Sequence, residues 1–552
     1  MNNCQRRTHR WPRQLAVCGC LVASILSGCD SERPAIGFEA VEGFFGGVAS
    51  DEPRAVLAAR EILASGGSAA DAMVALFFTA AVTYPSAASL GGGGACVVFD
   101  ESERVAEALE FPALPGTQDG SPVDRPSAVP TAIHGMFALH ARYGRIPWRQ
   151  LVGGAERLAR LGFPVSRALA RDLALVGSAL LDDPGMKRVF ARRDGSPKLE
   201  GDQLIQWDLA ITLSQIRGKG PGEFYSGNLA KTLVSAARAV GGTLSEDDLR
   251  DFRPQWRKTA NTSLQDEYMR VHTIPGPSTE FGWSVGGLST LSMWSMLIAD
   301  NRYKNADIDE RPHLVAEASL RTSLMRAGYA EKGLMQNLEK AGLFDREAAT
   351  KEMMSYQPRR HVPTTDLAPE FKEHRENPSG IGFAVVDGDG SSVACNVTLN
   401  NLFGIGRIAP GTGIVLAAAP KKGAVTSLSP LIIANHNVGD TYFVGAASGG
   451  ASAPAAIAQI MARALIDDMP LENAVAAPRI YHGGIPDVVV HESSESLDVL
   501  DALTGRGQNL LKTGQIGRVN AIYCPKGARR QSGTCAFVSD QRGFGMATAS
   551  QF

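Results

Sequence analysis

The chain has 552 residues, which is long enough to bury a large hydrophobic core. Its hydrophobic fraction of 44% and charged fraction of 20% are those of an ordinary soluble globular protein. The net charge of −2 gives no reason to expect nucleic acid or an acidic surface as a partner, so we predict no nucleic-acid binding.

The N-terminus is typical of a secretion signal rather than of a folded domain. Four arginines precede an apolar run at residues 15–26, which is too short to cross a bilayer as a helix. The run ends in Leu26-Ser-Gly-Cys29, which resembles a bacterial lipoprotein cleavage box. The alternative is an ordinary secretion signal with an incidental cysteine. We interpret residues 1–28 as a lipoprotein signal peptide and residues 29–42 as a tether.

Cys29 is the predicted lipidation site. Several acyl chains on one cysteine anchor a protein firmly without a membrane-spanning helix. Asp30 directly follows this cysteine, which resembles a sorting signal for retention in the inner membrane. We therefore expect a cell-membrane lipoprotein that faces the periplasm. The sequence indicates no oligomeric state.

The cysteines beyond the leader form two pairs of different character. Cys96 and Cys395 lie inside apolar, strand-like runs, so we interpret them as buried small hydrophobic residues. Cys524 and Cys535 flank a polar loop, where a disulfide and two free thiols are both open interpretations. No Cys/His spacing indicates a metal, and nothing in the sequence indicates a nucleotide or redox cofactor.

Residues 43–352 begin with a short strand that leads to an acidic helix cap at Asp51. A glycine-rich turn and a buried strand are predicted at residues 90–100. Helices with apolar residues at helical spacing, or rich in alanine, are predicted at residues 53–64, from Ser68, from Ser245, and at residues 285–300 and 313–330.

Residues 353–378 change character. The segment is polar, contains prolines and has no apolar period, so we predict an exposed linker. Two interpretations stay open: the linker is cut in a precursor, or it is a plain surface loop of an uncut chain.

A β-hairpin is predicted near the start of residues 379–552. Residues 383–386 are apolar and β-branched, Gly388-Asp-Gly390 makes a tight reversal, and residues 393–399 alternate as the returning strand. Further strands are predicted at residues 411–416, 427–434 and 442–445, followed by a long Ala-rich helix at residues 452–468.

The ordered motifs resemble those of the γ-glutamyltransferase family, which are amidohydrolases of the N-terminal-nucleophile type. The resemblance implies an α+β fold, the four-layer αββα sandwich, in which residues 43–352 and 379–552 form one structural unit. It also implies transfer or hydrolysis of γ-glutamyl amides. The motifs that carry it include Ser68-Ala-Ala-Asp71, the glycines after Leu90, Val129-Pro-Thr-Ala-Ile-His-Gly135, Gly222-Glu-Phe-Tyr-Ser-Gly227, the hairpin and Ser448-Gly-Gly450.

Several site residues that the resemblance implies are present. Each of these residue types also suits a strand end or a turn, so a structural role stays open for each. The positions that match the family's second hydroxyl, its amine-binding amide, its carboxylate-binding hydroxyls and its oxyanion glycines are, in that order, Thr398, Asn400, Thr426 with Ser427, and Gly449 with Gly450.

Three other implied residues are missing. Counting back from Asp387 puts Gly380 at the position of the family's nucleophilic threonine, and glycine has no hydroxyl. Pro112 stands where the family has its carboxylate-binding arginine, and residues 417–422, which end in two lysines, replace its amine-binding acid. Each lost ionic partner is worth about 2 kcal/mol or more.

Three interpretations of function follow. In the first, which the missing residues favour, the protein is a noncatalytic binding or scaffold protein for a small amide or peptide ligand. In the second, Ser379 is a shifted N-terminal nucleophile after a cut behind Pro378, and the substrate is a γ-glutamyl or related amide. In the third, the count to Gly380 is wrong and the family's ordinary activity persists.

Overall fold

The computed structural model describes residues 43–117, 123–264, 267–277, 284–331, 344–368, 376, 379–421 and 426–551. Residues from Phe44 to Gln551 form one compact unit. The predicted signal peptide, the tether and Cys29 lie outside the described residues, as do Pro378 and Lys422. Among the described helices, none combines the length and the apolarity that a bilayer span requires.

The strands of the described ranges are, in chain order, β1 (Phe44–Ser50), β2 (Gly93–Asp100), β3 (Val105–Phe111), β4 (Phe163–Pro164), β5 (Gln203–Leu204), β6 (Gln255–Lys258), β7 (Ala260–Ser263), β8 (Met269–Thr273), β9 (Ile381–Asp387), β10 (Ser392–Thr398), β11 (Ile408–Ala409), β12 (Ile414–Val415), β13 (Ser429–Asn435), β14 (Asp440–Ser448), β15 (Ile480–His482), β16 (Val489–Glu492), β17 (Leu510–Thr513), β18 (Arg518–Tyr523), β19 (Ala536–Val538) and β20 (Met546–Gln551).

The α-helices of the same ranges are α1 (Pro53–Ala64), α2 (Ala69–Thr83), α3 (Ala132–Tyr143), α4 (Trp148–Leu161), α5 (Arg167–Leu180), α6 (Pro184–Phe190), α7 (Trp207–Lys219), α8 (Gly222–Ser226), α9 (Asn228–Ala239), α10 (Glu246–Asp251), α11 (Gly286–Ile298), α12 (Arg302–Asn305), α13 (Arg311–Glu331), α14 (Arg346–Glu352), α15 (Thr364–Leu367), α16 (Ala453–Leu465), α17 (Leu471–Ala476) and α18 (Leu497–Thr504).

The first sheet has the strand order β20-β1-β9-β10-β2-β3-β6, and all its neighbours are antiparallel. Its centre is the predicted hairpin, in which Val385 of β9 lies opposite Val393 of β10. Every residue of β9 and β10 is buried, because helices cover one face of these strands and a second sheet covers the other. Strands covered on both faces are mostly apolar, as these are, with Asn396 as the polar residue in the middle of β10.

The second sheet has the order β19-β18-β14-β13-β8-β7 and is also antiparallel. Strands β13 and β14 contact β9 and β10 of the first sheet. Small and branched side chains such as Ala384, Val386, Ile432 and Val444 fill the layer between the sheets. The two sheets therefore pack face to face around one apolar layer.

Helices cover the outer face of each sheet. Side chains of α1 to α9 join β9 and β10 in one core, and side chains of α11, α13 and α16 join β13 and β14 in another. The layers run helix, sheet, sheet, helix, and this confirms the predicted α+β fold and its four-layer αββα sandwich.

The starts of α1 and α2 show how local sequence sets these helices. Asp71 N donates to Ser68 Oγ and Ser68 N donates to Asp71 Oδ2, which is a capping box for the fully buried α2. The prediction that Asp51 caps α1 is wrong, because the cap is Glu52, which accepts from Arg54 N. Asp51 instead turns inward and accepts a hydrogen bond from Asn520 Nδ2 at 2.7 Å.

The prediction of an exposed linker at residues 353–378 is wrong for part of the described segment. Residues 354–360 mostly face solvent, but His361, Val362 and Thr364 are buried. Thr364 Oγ1 donates to Gly484 O at 2.9 Å. The polar composition was misleading because partners from distant parts of the chain satisfy these polar groups inside the fold.

Both cysteine pairs form disulfides. Cys96 and Cys395 are buried, as predicted, but their interpretation as free hydrophobic residues is wrong, because they lie opposite each other on β2 and β10 and are bonded. Cys524 and Cys535, for which two interpretations were open, are also bonded. The first disulfide joins residues 299 positions apart and so connects the two sides of residues 353–378.

Candidate functional site

A cavity of about 590 Å³ lies at the start of β9. Its wall contains three of the candidate site residues, Ser379, Gly380 and Gly449. Gly449 is far from the other two along the chain. The wall also includes the charged residues Arg171, Asp172 and Arg518, together with Ser452 and Gln515. Cavities that combine an apolar surface with a few convergent polar groups are the usual form of a small-molecule site.

Ser379 and Thr398 are neighbours at this cavity. Their hydroxyls, Ser379 Oγ and Thr398 Oγ1, are 3.3 Å apart. Thr398 ends β10 opposite the start of β9, and its Oγ1 also accepts from Asn400 N at 2.9 Å. The antiparallel pairing of β9 and β10 therefore places the hydroxyl of Thr398 beside that of Ser379. Ser379 is the hydroxyl-bearing residue next to position 380, where the nucleophile was predicted.

Gly380, at the predicted nucleophile position, has a backbone that only glycine adopts easily. Its φ is +134°, and an added Cβ would lie 3.2 Å from Val397 O. Gly380 O accepts a hydrogen bond from Arg518 Nη2 at 2.8 Å. This position thus lacks a hydroxyl, and its backbone conformation disfavours any side chain that would supply one.

The glycine pair opens the turn before α16. Gly449 has φ +122° and Gly450 has φ +68°. A Cβ on Gly449 would lie 2.8 Å from Gly517 Cα, so the close approach of two chain segments requires glycine there. Gly449 lines the cavity, whereas Gly450 begins the 3-10 turn Gly450–Ser452.

Two arginines on the cavity wall form a buried charge cluster that the sequence reasoning missed. Arg518 contacts Tyr84 Oη at 3.3 Å and Asp51 Oδ2 at 3.6 Å, and Arg171 Nη2 donates to Tyr84 Oη at 3.2 Å and to Asp172 Oδ1 at 2.9 Å. Burial raises the pKa of Asp51, and the charge of Arg518 only partly offsets that rise. The one sequence signal was Arg518 itself, a lone arginine at the head of an apolar strand.

Asn400 lies near Thr398, but its side chain serves the backbone. Its Nδ2 donates to Ala113 O at 3.0 Å and to Ala418 O at 2.8 Å. Its φ of +62° is a turn conformation that asparagine tolerates. Both donors of the amide are thus used, and the amine-binding role that the resemblance implies stays a prediction.

Thr426 and Ser427 enter β13 from the segment before it. Thr426 Oγ1 is buried and has no hydrogen-bond partner within the described ranges. Ser427 contacts Arg326 and Glu376, two further residues that the sequence reasoning missed. Arg326 is one of three arginines in helix α13, so the local sequence gave no signal that singled it out for that contact.

A cluster that contacts α13 has the residue types of a metal site: His361, His482 and Asp487. Gly484 N donates to His482 Nδ1 at 3.1 Å, so the proton of this imidazole is on Nε2. That Nε2 donates to Asp487 Oδ1 at 3.1 Å and cannot also coordinate an ion. The cluster is satisfied by its own hydrogen bonds.

His361 is expected to stabilise the fold in a pH-dependent way. Burial disfavours its charged form, but the hydrogen bond and charge of Glu317 outweigh burial and raise the pKa of His361. The stabilisation is then fully present below the ordinary histidine pKa of about 6.5 and is lost as pH rises through the raised value. We expect His361→Gln to cost about 1.5–3 kcal/mol of unfolding free energy at pH 5.5 and clearly less at pH 8.5.

Denaturant titrations at the two pH values measure this difference. His134→Gln is the comparison of opposite sign, because burial lowers the pKa of His134 to about 4. The unfolded chain alone gains a proton at about pH 6.5, so the stability that His134 contributes should fall rather than rise as pH is lowered from 8.5 to 5.5. A cost of His361→Gln that does not change between pH 5.5 and 8.5 would contradict the prediction.

The chain resembles known proteins over most of its length. The family model described as Gamma-glutamyltranspeptidase matches residues 55–550. The chain is 26% identical to the glutathione hydrolase proenzyme of Escherichia coli strain K12, covering 92% of this chain and 95% of the relative. It is 28% identical to the glutathione hydrolase proenzyme of Pseudomonas aeruginosa, covering 91% and 94%. Cephalosporin acylase from Bacillus halodurans has the same fold, with a TM-score of 0.72 at 22% identity over 92% of this chain and 96% of that one.

Proposed function

The chain belongs to the gamma-glutamyltranspeptidase family, and from this premise we propose that it is a noncatalytic member that binds a small amide or peptide ligand in the cavity at β9. The proposal rests on the glycine at position 380. An N-terminal-nucleophile reaction needs a hydroxyl or thiol at the position that leads into this strand, and Gly380, directly before β9, has neither that group nor a backbone suited to it. Loss of a nucleophile leaves about 10³–10⁴-fold acceleration over water at most.

A second candidate function is supported by the position of Ser379. Its hydroxyl is 3.3 Å from Thr398 Oγ1 and faces the cavity that Gly449 also lines. In this alternative, Ser379 Oγ attacks the carbonyl carbon of Pro378, the peptide C–N bond breaks as its nitrogen takes the proton, and water hydrolyses the resulting ester. The freed amine of Ser379 would then be the base for an amidohydrolase.

We also propose that the mature protein is a periplasm-facing lipoprotein anchored by Cys29. The sequence Leu26-Ser-Gly-Cys29 and the arginines before the apolar run support this placement. An intact mass that includes acyl chains on Cys29, lost in Cys29→Ala, is the expected result. A secreted chain of unmodified mass would contradict the anchor.

One experiment separates the two candidate functions. The purified full chain is run on a denaturing gel and assayed with γ-glutamyl-p-nitroanilide. We expect one band, and no p-nitroaniline above the buffer rate, for the wild type and for Ser379→Ala alike. The gel must contain reductant, because the disulfide Cys96–Cys395 would hold the two halves of a cut chain together.

The alternative result is equally specific. A cut before Ser379 that disappears in Ser379→Ala, but persists in the exposed-site control Ser493→Ala, would establish the amidohydrolase and end the noncatalytic proposal. Isothermal titration with glutathione tests the binding role in the uncut chain. No heat of binding for glutathione, glutamine or glutamate would contradict that role.

A further inference from the structure

A further cavity, of about 210 Å³, lies among helices α12, α13, α16 and α18. Of the described residues, none lines both this cavity and the one at β9, so the two are separate. Its apolar lining consists of Ile308, Pro312, Val315, Met469, Ile480 and Val499. The side chain of Ile308 is 79% exposed, which places the cavity at the surface of the molecule. A small, mostly apolar molecule can therefore reach this cavity from solvent.

Arg463 of α16 brings a positive charge to the wall of this cavity. The side chain is partly buried, and its Nη2 donates to Pro478 O at 2.7 Å while its Nη1 is 3.5 Å from Ala477 O. Both of these partners are backbone carbonyls, and no carboxylate of the described ranges is within ion-pair distance of the guanidinium. Withdrawing a cation from water without an anion costs free energy, so Arg463 favours an anionic partner from outside the chain.

Two carboxylates line the same cavity, but neither neutralises Arg463. Asp467 is already occupied, because Oδ1 accepts from Arg311 Nη1 at 2.7 Å and Oδ2 accepts from Tyr303 Oη at 3.0 Å. Glu495 attracts Arg463 only through space, from beyond ion-pair distance. These two acids repel other negative charges, so the wall favours a ligand with a single negative charge over a polyanion.

We propose that this cavity binds a small apolar monocarboxylate, with its carboxylate against Arg463 and its apolar body against Val315, Ile480 and Val499. A guanidinium and a carboxylate form charge-assisted hydrogen bonds, which are among the strong ones in proteins. The volume of about 210 Å³ is below that of most drug-sized sites, about 300–1,000 Å³, and so favours a small acid. The site is additional to the ligand cavity at β9 and does not depend on it.

Isothermal titration of the purified full chain with sodium hexanoate tests this site. We expect saturable binding to the wild type, and Arg463→Met should weaken it about tenfold or more, because methionine keeps the apolar stem and removes the charge. Arg530→Met, at an exposed arginine that does not line the cavity, is the matched control and should bind hexanoate as the wild type does. No binding to the wild type, or equal affinity in Arg463→Met, would overturn the proposal.

Two related probes separate the charge from the apolar contact. Hexanamide has nearly the shape of hexanoate without its charge, so it should bind the wild type about tenfold or more weakly than hexanoate does. Acetate keeps the charge but lacks the apolar chain, so its affinity should be about 100-fold lower than that of hexanoate. If either probe binds as tightly as hexanoate, the proposed pairing of carboxylate and apolar body is wrong.

Glu495→Gln provides a second variant in case Arg463→Met fails to fold. It removes a negative charge that opposes the ligand, so hexanoate should bind it about twofold or more tightly than the wild type. Unchanged or weaker binding to Glu495→Gln would contradict the site. The proposed noncatalytic function fails on a different reading, a cut before Ser379 on the reducing gel, so the two failures are distinguishable.

Discussion

Replacing Asp540 by alanine is expected to lower the free energy of unfolding by about 3–5 kcal/mol. Asp540 and Arg479 are both fully buried, and Arg479 Nη2 donates to Asp540 Oδ2 at 2.6 Å. The same oxygen accepts from Val519 N at 2.9 Å. The substitution leaves a buried guanidinium uncompensated and a buried N–H unpaired, and each is costly. Urea titration followed by circular dichroism at pH 7 measures the loss.

Asp540→Ala should also disturb the wall of the cavity. Arg479 Nη1 donates to Gly517 O at 3.3 Å, and Gly517 and Arg518 both line the cavity just before Val519. We therefore expect weaker ligand binding together with the loss of stability.

A double variant is the control for Asp540→Ala. Arg479→Met with Asp540→Leu replaces the pair by apolar groups and should be less destabilised than Asp540→Ala alone, because the guanidinium of Arg479 is removed with its partner. Arg542, which also contacts Asp540, keeps its bond to Glu492. A cost below about 1 kcal/mol for the single variant, or an equally unstable double variant, would contradict the account.

The pH dependence of this pair gives an independent check. Burial opposes ionisation of Asp540, but the charges of Arg479 and Arg542 outweigh it and lower its pKa. The stabilisation is therefore present above the ordinary aspartate pKa and is lost as pH falls through the lowered value. We expect the difference between the wild type and Asp540→Ala to shrink only in acid.

Removing the disulfide Cys96–Cys395 by a double substitution to alanine is expected to cost about 2–5 kcal/mol. The bond joins residues 299 positions apart, so it removes much of the loop entropy of the unfolded chain. It also lies at the centre of the first sheet, where β2 pairs with β10. Denaturant midpoints of the oxidised proteins measure the cost.

The second disulfide provides the matched comparison. Cys524 and Cys535 are only 11 positions apart, and a disulfide that closes a shorter loop stabilises the fold less. We expect the unfolding free energy to fall by about 3 kcal/mol at most when both are alanine. Reductant should destabilise the wild type more than either double variant. A larger cost for the short loop than for the long one would show that chain entropy is not the main contribution.

Local patterns were sufficient for many elements of the fold. The reversal at Gly388 and Gly390 predicted the hairpin, and the structure has β9 and β10 on either side of it. The serines at residues 68 and 245 each accept from the residue three positions later and begin α2 and α10. These predictions succeed because the interacting groups lie within a few positions of each other.

Local patterns were not sufficient where partners are far apart along the chain. Nothing near Cys96 indicates Cys395, and nothing near Asp51 indicates Arg518 or Asn520. The polar segment before Ser379 was predicted to be exposed, yet His361 and Glu376 in it are buried against partners on α13 and at the start of β13.

The sequence by itself implied the αββα sandwich, through the resemblance of its ordered motifs to a known family, and it places a glycine, which has no hydroxyl, at position 380, because motif order and side-chain identity are read directly from the chain. Only the tertiary structure decided which charges meet at the cavity, since the pairing of β9 with β10 and the packing of β18 against β9 set those distances. The tertiary structure places Ser379 beside Thr398 and pairs Glu376 with Arg326. A buried charge needs a partner of opposite charge, and here a distant part of the chain supplies it.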